Sequence, residues 1–76
     1  MKRTMRVMST NGDDQIAEYE VGVTSPERLA EIEVEFKDFM RKGFTPADIT
    51  DQRDTIIDKF NPNADILMIP RIQGGR

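Results

Sequence analysis

The most apolar run of the chain, Ile66-Leu67-Met68-Ile69, breaks off at Pro70 and gives way to Arg71-Ile72-Gln73-Gly74-Gly75-Arg76. This contrast constrains the fold more than any other feature. An apolar run without polar alternation reads as a strand covered on both faces. Proline has no N–H to give to a ladder, so Pro70 marks the end or an edge of the pairing. The expectation is a last strand over residues 66–72, anchored in a core and followed by a terminus of glycine, glycine and arginine. With 76 residues there is room for one small domain, residues 1–73, and a short tail, residues 74–76. A domain of this size buries only about 60% of its unfolded surface, so its core is thin.

The composition weighs against catalysis. The chain has no cysteine and no histidine. It therefore lacks the nucleophilic thiol, the commonest general base and the usual transition-metal ligands. The expectation is a protein without an active site or cofactor of its own. The net charge is -3, from 11 basic and 14 acidic residues, which is not the basic footprint of a nucleic-acid binder. Lys2, Arg3 and Arg6 alternate with Met5 and Val7 and read as the outward side of a strand. The longest apolar run is too short to cross a membrane, and no apolar signal region follows Met1-Lys2-Arg3. A cytoplasmic domain is the expectation.

The first strand is expected over residues 2–10, with Met5 and Val7 on one face. Asn11-Gly12-Asp13-Asp14 reads as a turn. The second strand is expected over residues 15–23, with Ala17, Tyr19, Val21 and Val23 alternating against Glu18 and Glu20. A two-residue Asn11-Gly12 loop would place Arg6 opposite Ala17. A loop longer by an odd number places Val7 opposite Ala17 and Met5 opposite Tyr19. A one-residue slip turns every side chain over, so the apolar pattern favours the odd loop despite the strong Asn-Gly signal.

Ser25 is a good N-cap and Pro26 suits the first helical position. Leu29, Ile32, Phe36, Phe39 and Met40 recur at helical spacing and form one apolar stripe. The helix is expected to reach Lys42 and to end at Gly43 in a left-handed cap. Val34 lies off the stripe and is expected at the surface. Thr45-Pro46 repeats the capping signal, and Ile49, Ile56, Ile57 and Phe60 again follow helical spacing. A second helix over residues 46–60 is expected; a short strand over 55–59 competes, because short apolar runs are ambiguous. Asn61-Pro62-Asn63 is a break.

Strand, strand, helix, a further helix or strand, and a last strand parallel to the first resemble a β-grasp domain of the ubiquitin-like superfamily. The segment Ile69-Pro70-Arg71-Ile72-Gln73-Gly74-Gly75 is similar to the end of sulfur-carrier proteins, such as the small subunit of molybdopterin synthase. The Pro-Arg pair also resembles the ubiquitin-like segment of phage tail-assembly proteins. The resemblance implies an α+β fold: a β-grasp-like sheet packed on one main helix, with the hairpin and a central, parallel C-terminal strand. It also implies a protein modifier or sulfur carrier whose C-terminal glycine is adenylated by an E1-like enzyme. The activated tail would be Gly74-Gly75. Arg76 would first be removed by a processing protease, because the carboxyl of Gly75 must be free. A protein target or a sulfur-acceptor enzyme then receives the chain or its sulfur. Lys2, Lys37, Lys42 and Lys59 are the possible acceptors for chain formation. The family usually has a third and often a fourth strand after the helix, where the residue pattern here reads as helical. The alternative class is an interaction module of the same fold whose tail is never activated.

Glycine suits such a tail because no side chain blocks attack on its carbonyl and the backbone can lie extended in a narrow channel. The tail has few means of packing and is expected to be accessible. The rival feature is acidic. On a helix, Asp51, Asp54 and Asp58 would share a face on which magnesium or calcium could sit. With Arg53 and Lys59 nearby, a solvated face is the plainer reading, and no metal is expected. Asp13-Asp14 is read as turn chemistry.

Overall fold

The computed structural model describes residues 1–10, 12–50 and 55–70. The elements are β1 (Arg3–Ser9), β2 (Gly12–Tyr19), α1 (Pro26–Arg41), β3 (Thr45–Asp48), β4 (Thr55–Ile56) and β5 (Ile66–Ile69). The strands form one mixed sheet in the order β2-β1-β5-β3-β4. β5 runs parallel to β1 and antiparallel to β3. The fold is α+β and β-grasp-like, with the C-terminal strand in the middle of the sheet.

The helix forms where its end signals stand. The Ser25 side chain accepts the Arg28 N–H at 3.1 Å, and Pro26 opens the first turn. At the other end Gly43 adopts φ +100°. The Gly43 N–H bonds the Met40 carbonyl, and the Phe44 N–H reaches back to the Phe39 carbonyl, each at 3.0 Å. This pair of bonds is the Schellman motif, and the apolar contact that accompanies it is present: the Phe39 and Phe44 rings meet edge-on at 5.2 Å. The motif turns the chain straight into β3.

That turn explains the main departure from the expected elements. Among the described residues of 46–60 there is no helix; β3 and β4 stand there instead. Thr45 is not a cap but the partner of Ile69. Pro46 is tolerated in β3 because β4 pairs only with Ala47 and Asp48, so the start of β3 is an edge on that side. The Pro46 carbonyl still accepts the Ile57 N–H at 3.1 Å. The apolar spacing of Ile49, Ile56, Ile57 and Phe60 was helical by coincidence: Ile56 is exposed while Ile57 and Phe60 pack on the core. β5 covers residues 66–69 of the expected 66–72; residues 71 and 72 lie outside those described.

The hairpin register also differs from both sequence alternatives. Ser9 pairs with Gly12, Val7 with Asp14 and Arg6 with Gln15, whereas Met5 pairs with Ala17 and Arg3 with Tyr19. The register therefore shifts beside Ile16, which is the extra residue of a β-bulge. A two-residue connection alone would set the wrong parity for the core. The bulge restores it, so Met5, Ala17 and Tyr19 all face α1. β2 stops at Tyr19 rather than at residue 23. The Thr24 hydroxyl takes the Glu20 N–H at 2.7 Å, and Gly22 turns with φ +86°. Val21 and Val23 are left exposed. Asp13 and Asp14 belong to β2 instead of a turn.

The core lies between the sheet and α1: Met5, Ala17, Tyr19, Ile32, Phe36, Ala64, Ile66 and Met68. Leu29, Phe39 and Met40 complete the helical stripe, and Phe60 closes the far side against Tyr19 and Phe36. Val34 is exposed, as its position off the stripe requires. β5 is covered unequally: Ile66 and Met68 are fully buried, whereas Leu67 and Ile69 are half-buried on the face away from α1.

Candidate functional site

The expected activated tail, Gly74 and Gly75 with Arg76 after them, lies outside the described residues. What the fold fixes is the point from which it departs. β5 is hydrogen-bonded to a neighbour on each side, with Met5↔Ile66 and Val7↔Met68 on one flank and Thr45↔Ile69 and Asp48↔Ile66 on the other. Ile69 ends this strand, and Pro70 is exposed directly after it.

A polar cluster locks the opposite end of β5. Asp65 accepts the Thr4 N–H at 2.8 Å and the Arg3 guanidinium at 3.3 Å. The Asp65 N–H donates to the Thr50 hydroxyl at 2.9 Å, which donates to Asp48 Oδ1 at 2.6 Å. The Thr50 N–H reaches the same carboxylate at 2.9 Å. These bonds from Thr50 hold the Asp48 carboxyl below the usual range, because they favour its charged form. The Tyr19 hydroxyl donates to the Ala64 carbonyl at 2.8 Å and lies 3.3 Å from that of Thr4. Burial, and then the nearby Asp65 charge, push this phenol upward. Tyr19 is therefore a neutral donor that ties the hairpin to the segment before β5. Sequence alternation placed its ring in the core, but nothing in the sequence announced the partner of its hydroxyl. Strand by strand, the cluster joins β1, β2, β3 and β5, and all its groups satisfy one another; its chemistry is structural.

Of the expected helical face of aspartates, only Asp58 is described, and it stands on no helix. Asp48 sits in β3, Asp58 is exposed after β4, and Asp51 and Asp54 lie outside the described residues. Glu35 on α1 has one carboxylate oxygen shielded from solvent without a hydrogen-bond partner. It has no acidic cluster around it: among the described residues no three His, Cys, Asp or Glu side chains gather as metal ligands. A shallow hollow is lined by Lys2, Glu18, Tyr19, Glu20, Val23 and Thr24. The Glu20 carboxylate beside it accepts the terminal ammonium of Met1 at 2.8 Å, which lowers its pKa.

The four expected acceptor lysines are all exposed. Lys37 approaches Glu33 at 3.6 Å one helical turn away, and Lys42 stands 5.3 Å over the Phe39 ring. They share no common site. Among the described residues no helix is long and apolar enough to cross a membrane.

No family model matches the chain, and neither a curated protein nor a solved structure matches it.

Proposed function

We propose that the chain is a ubiquitin-like modifier or sulfur carrier that works in the cytoplasm as a substrate of other enzymes. In this reading a protease removes Arg76, and an E1-like enzyme adenylates Gly75. The carboxylate of Gly75 attacks the α-phosphate of ATP, and pyrophosphate leaves. A thiol or a sulfur donor then displaces AMP, and the acyl group or the sulfur passes to a target. One observation carries the proposal: β5 is the central strand, paired on both flanks, and leads directly toward the Gly-Gly sequence. Pull on a tail gripped by an enzyme would be borne by two ladders instead of a frayed edge. The folded body then needs no cofactor and no catalytic side chain.

The test is intact-mass analysis of the chain ending at Gly75, incubated with ATP and a candidate adenylating enzyme. An adenylate, thioester or thiocarboxylate on Gly75 supports the proposal. An unmodified chain with every candidate would favour the second reading, an interaction module of phage-assembly or regulatory type. A specific feature favours that reading too: the sheet face opposite α1 carries apolar side chains that the core does not use.

A further inference from the structure

The backbones of β1 and β5 alternate in which neighbour they face, and two hydrogen bonds fix the phase. The Thr4 N–H reaches the Asp65 carboxylate at 2.8 Å, on the β5 side of β1. Successive residues of a strand turn their N–H and C=O to opposite edges. Thr4, Arg6 and Met8 therefore face β5, while Met5, Val7 and Ser9 face β2. The Asp65 carbonyl accepts the Ile49 N–H at 2.9 Å, on the β3 side. Asp65, Leu67 and Ile69 thus face β3, and Ile66, Met68 and position 70 face β1.

This phase names the next rung. β1 and β5 are parallel and paired as Met5↔Ile66, Arg6↔Leu67 and Val7↔Met68. In a parallel ladder a carbonyl accepts from the residue that follows its opposite number. At this register the Arg6 carbonyl is the acceptor for Met68, and the Met8 carbonyl is the acceptor for the N–H of position 70. β1 runs on to Ser9, so a strand stands beside that position. Position 70 is proline, which has no N–H. The loss falls on the flank that could prolong the ladder. On the other flank β3 begins at Thr45, opposite Ile69. The Phe44 N–H before it is committed to the Phe39 carbonyl at the end of α1. Pro70 is exposed, so the packing of the core does not call for its ring.

We propose that Pro70 is a positioning residue for the tail chemistry given above, on which this inference rests. By denying the Met8 carbonyl its donor, Pro70 ends the hold of β1 at Met68. The activating enzyme then meets a Gly-Gly tail for which the protein's own sheet does not compete.

The experiment restores the donor with Pro70→Ala in the chain ending at Gly75 and reads two quantities. By NMR, with no enzyme present, the variant should show a protected amide at position 70 and a scalar coupling through the hydrogen bond to the Met8 carbonyl. In ATP–pyrophosphate exchange with a candidate adenylating enzyme, KM for the chain should rise roughly fivefold, the effect of about one net hydrogen bond. The turnover number kcat should be unchanged, because only the fraction of chains with a released tail can be taken up. N-methylalanine at position 70, which lacks both the ring and the N–H, should return KM to the parent value. The proposal is overturned if the variant's amide at position 70 exchanges as fast as in an unfolded peptide, or if KM stays at the parent value. It is also overturned if N-methylalanine leaves KM raised, since the enzyme would then be reading the ring. If no candidate enzyme activates the parent chain, the carrier reading falls, and a protected amide at position 70 still supports the role of Pro70 in ending the ladder.

Discussion

The two faces of the sheet are built from the same strands, and often from adjacent residues, but they are under different constraints. Ile66 and Met68 are buried beneath α1 among Tyr19, Phe36 and Met5. Leu67 and Ile69, one step along in each case, look away from the helix and are half-buried. The core face carries the stability, because that is where side chains leave water and meet one another. The far face carries Leu67, Ile69 and Ile56, which lie outside the core cluster and are only partly covered or exposed. The lesson is that in β5 apolarity by itself does not report burial, and position modulo two does.

Paired substitutions sharpen this contrast. The largest loss is expected for Phe36→Ala, which empties the centre of the core and should cost about 3–5 kcal/mol in urea unfolding. For so small a domain, that is expected to abolish the cooperative transition. Ile66→Ala follows at about 2–5 kcal/mol. Equal losses for Ile66→Ala and Ile56→Ala would break the two-face account. Next comes Tyr19→Phe, which keeps the ring but removes the donor to Ala64; about 1 kcal/mol is expected.

A pH series probes the polar cluster between the faces. The Thr50 bonds make Asp48 a stronger acid when folded than its ordinary value of 3.8. Its contribution is therefore complete above that value and is lost as pH falls through the lower, folded one. Asp48→Asn should narrow the stability difference between neutral and acidic solution, and a parallel loss in both proteins would refute the role. The smallest effect is expected at Ile56→Ala, within about 0.5 kcal/mol, as for other surface changes.

Much of the fold was legible because local signals agreed with the tertiary arrangement. Ser25-Pro26 and Gly43 bounded the helix, and its stripe identified Ile32 and Phe36. The parity of Met5, Ala17 and Tyr19 gave the correct core face. The register itself was not legible: the bulge at Ile16 is a compromise between a short connection and the core's parity, and no residue type marks it. Residues 46–60 misled for a physical reason. Thr45-Pro46 has the chemistry of a helix start, but pairing of Thr45 and Ala47 with β5 outweighs that local preference. Of the candidate site, the point of departure at Ile69-Pro70 was legible from the apolar run. The make-up of the far face was not, since it exists only once five strands are set side by side. Gly74, Gly75 and Arg76 lie outside the described residues, so their role is a matter for chemistry.

The most direct measurement is ATP–pyrophosphate exchange by a candidate adenylating enzyme, comparing purified chains that end at Gly75 and at Arg76. In the longer chain the Gly75 carboxyl is tied up in an amide, and a cationic side chain stands where the channel must be narrow. Exchange is expected with the Gly75 chain and absent with the Arg76 chain until a protease trims it, while both unfold at the same urea concentration. Equal exchange with Arg76 still attached would contradict the proposed chemistry.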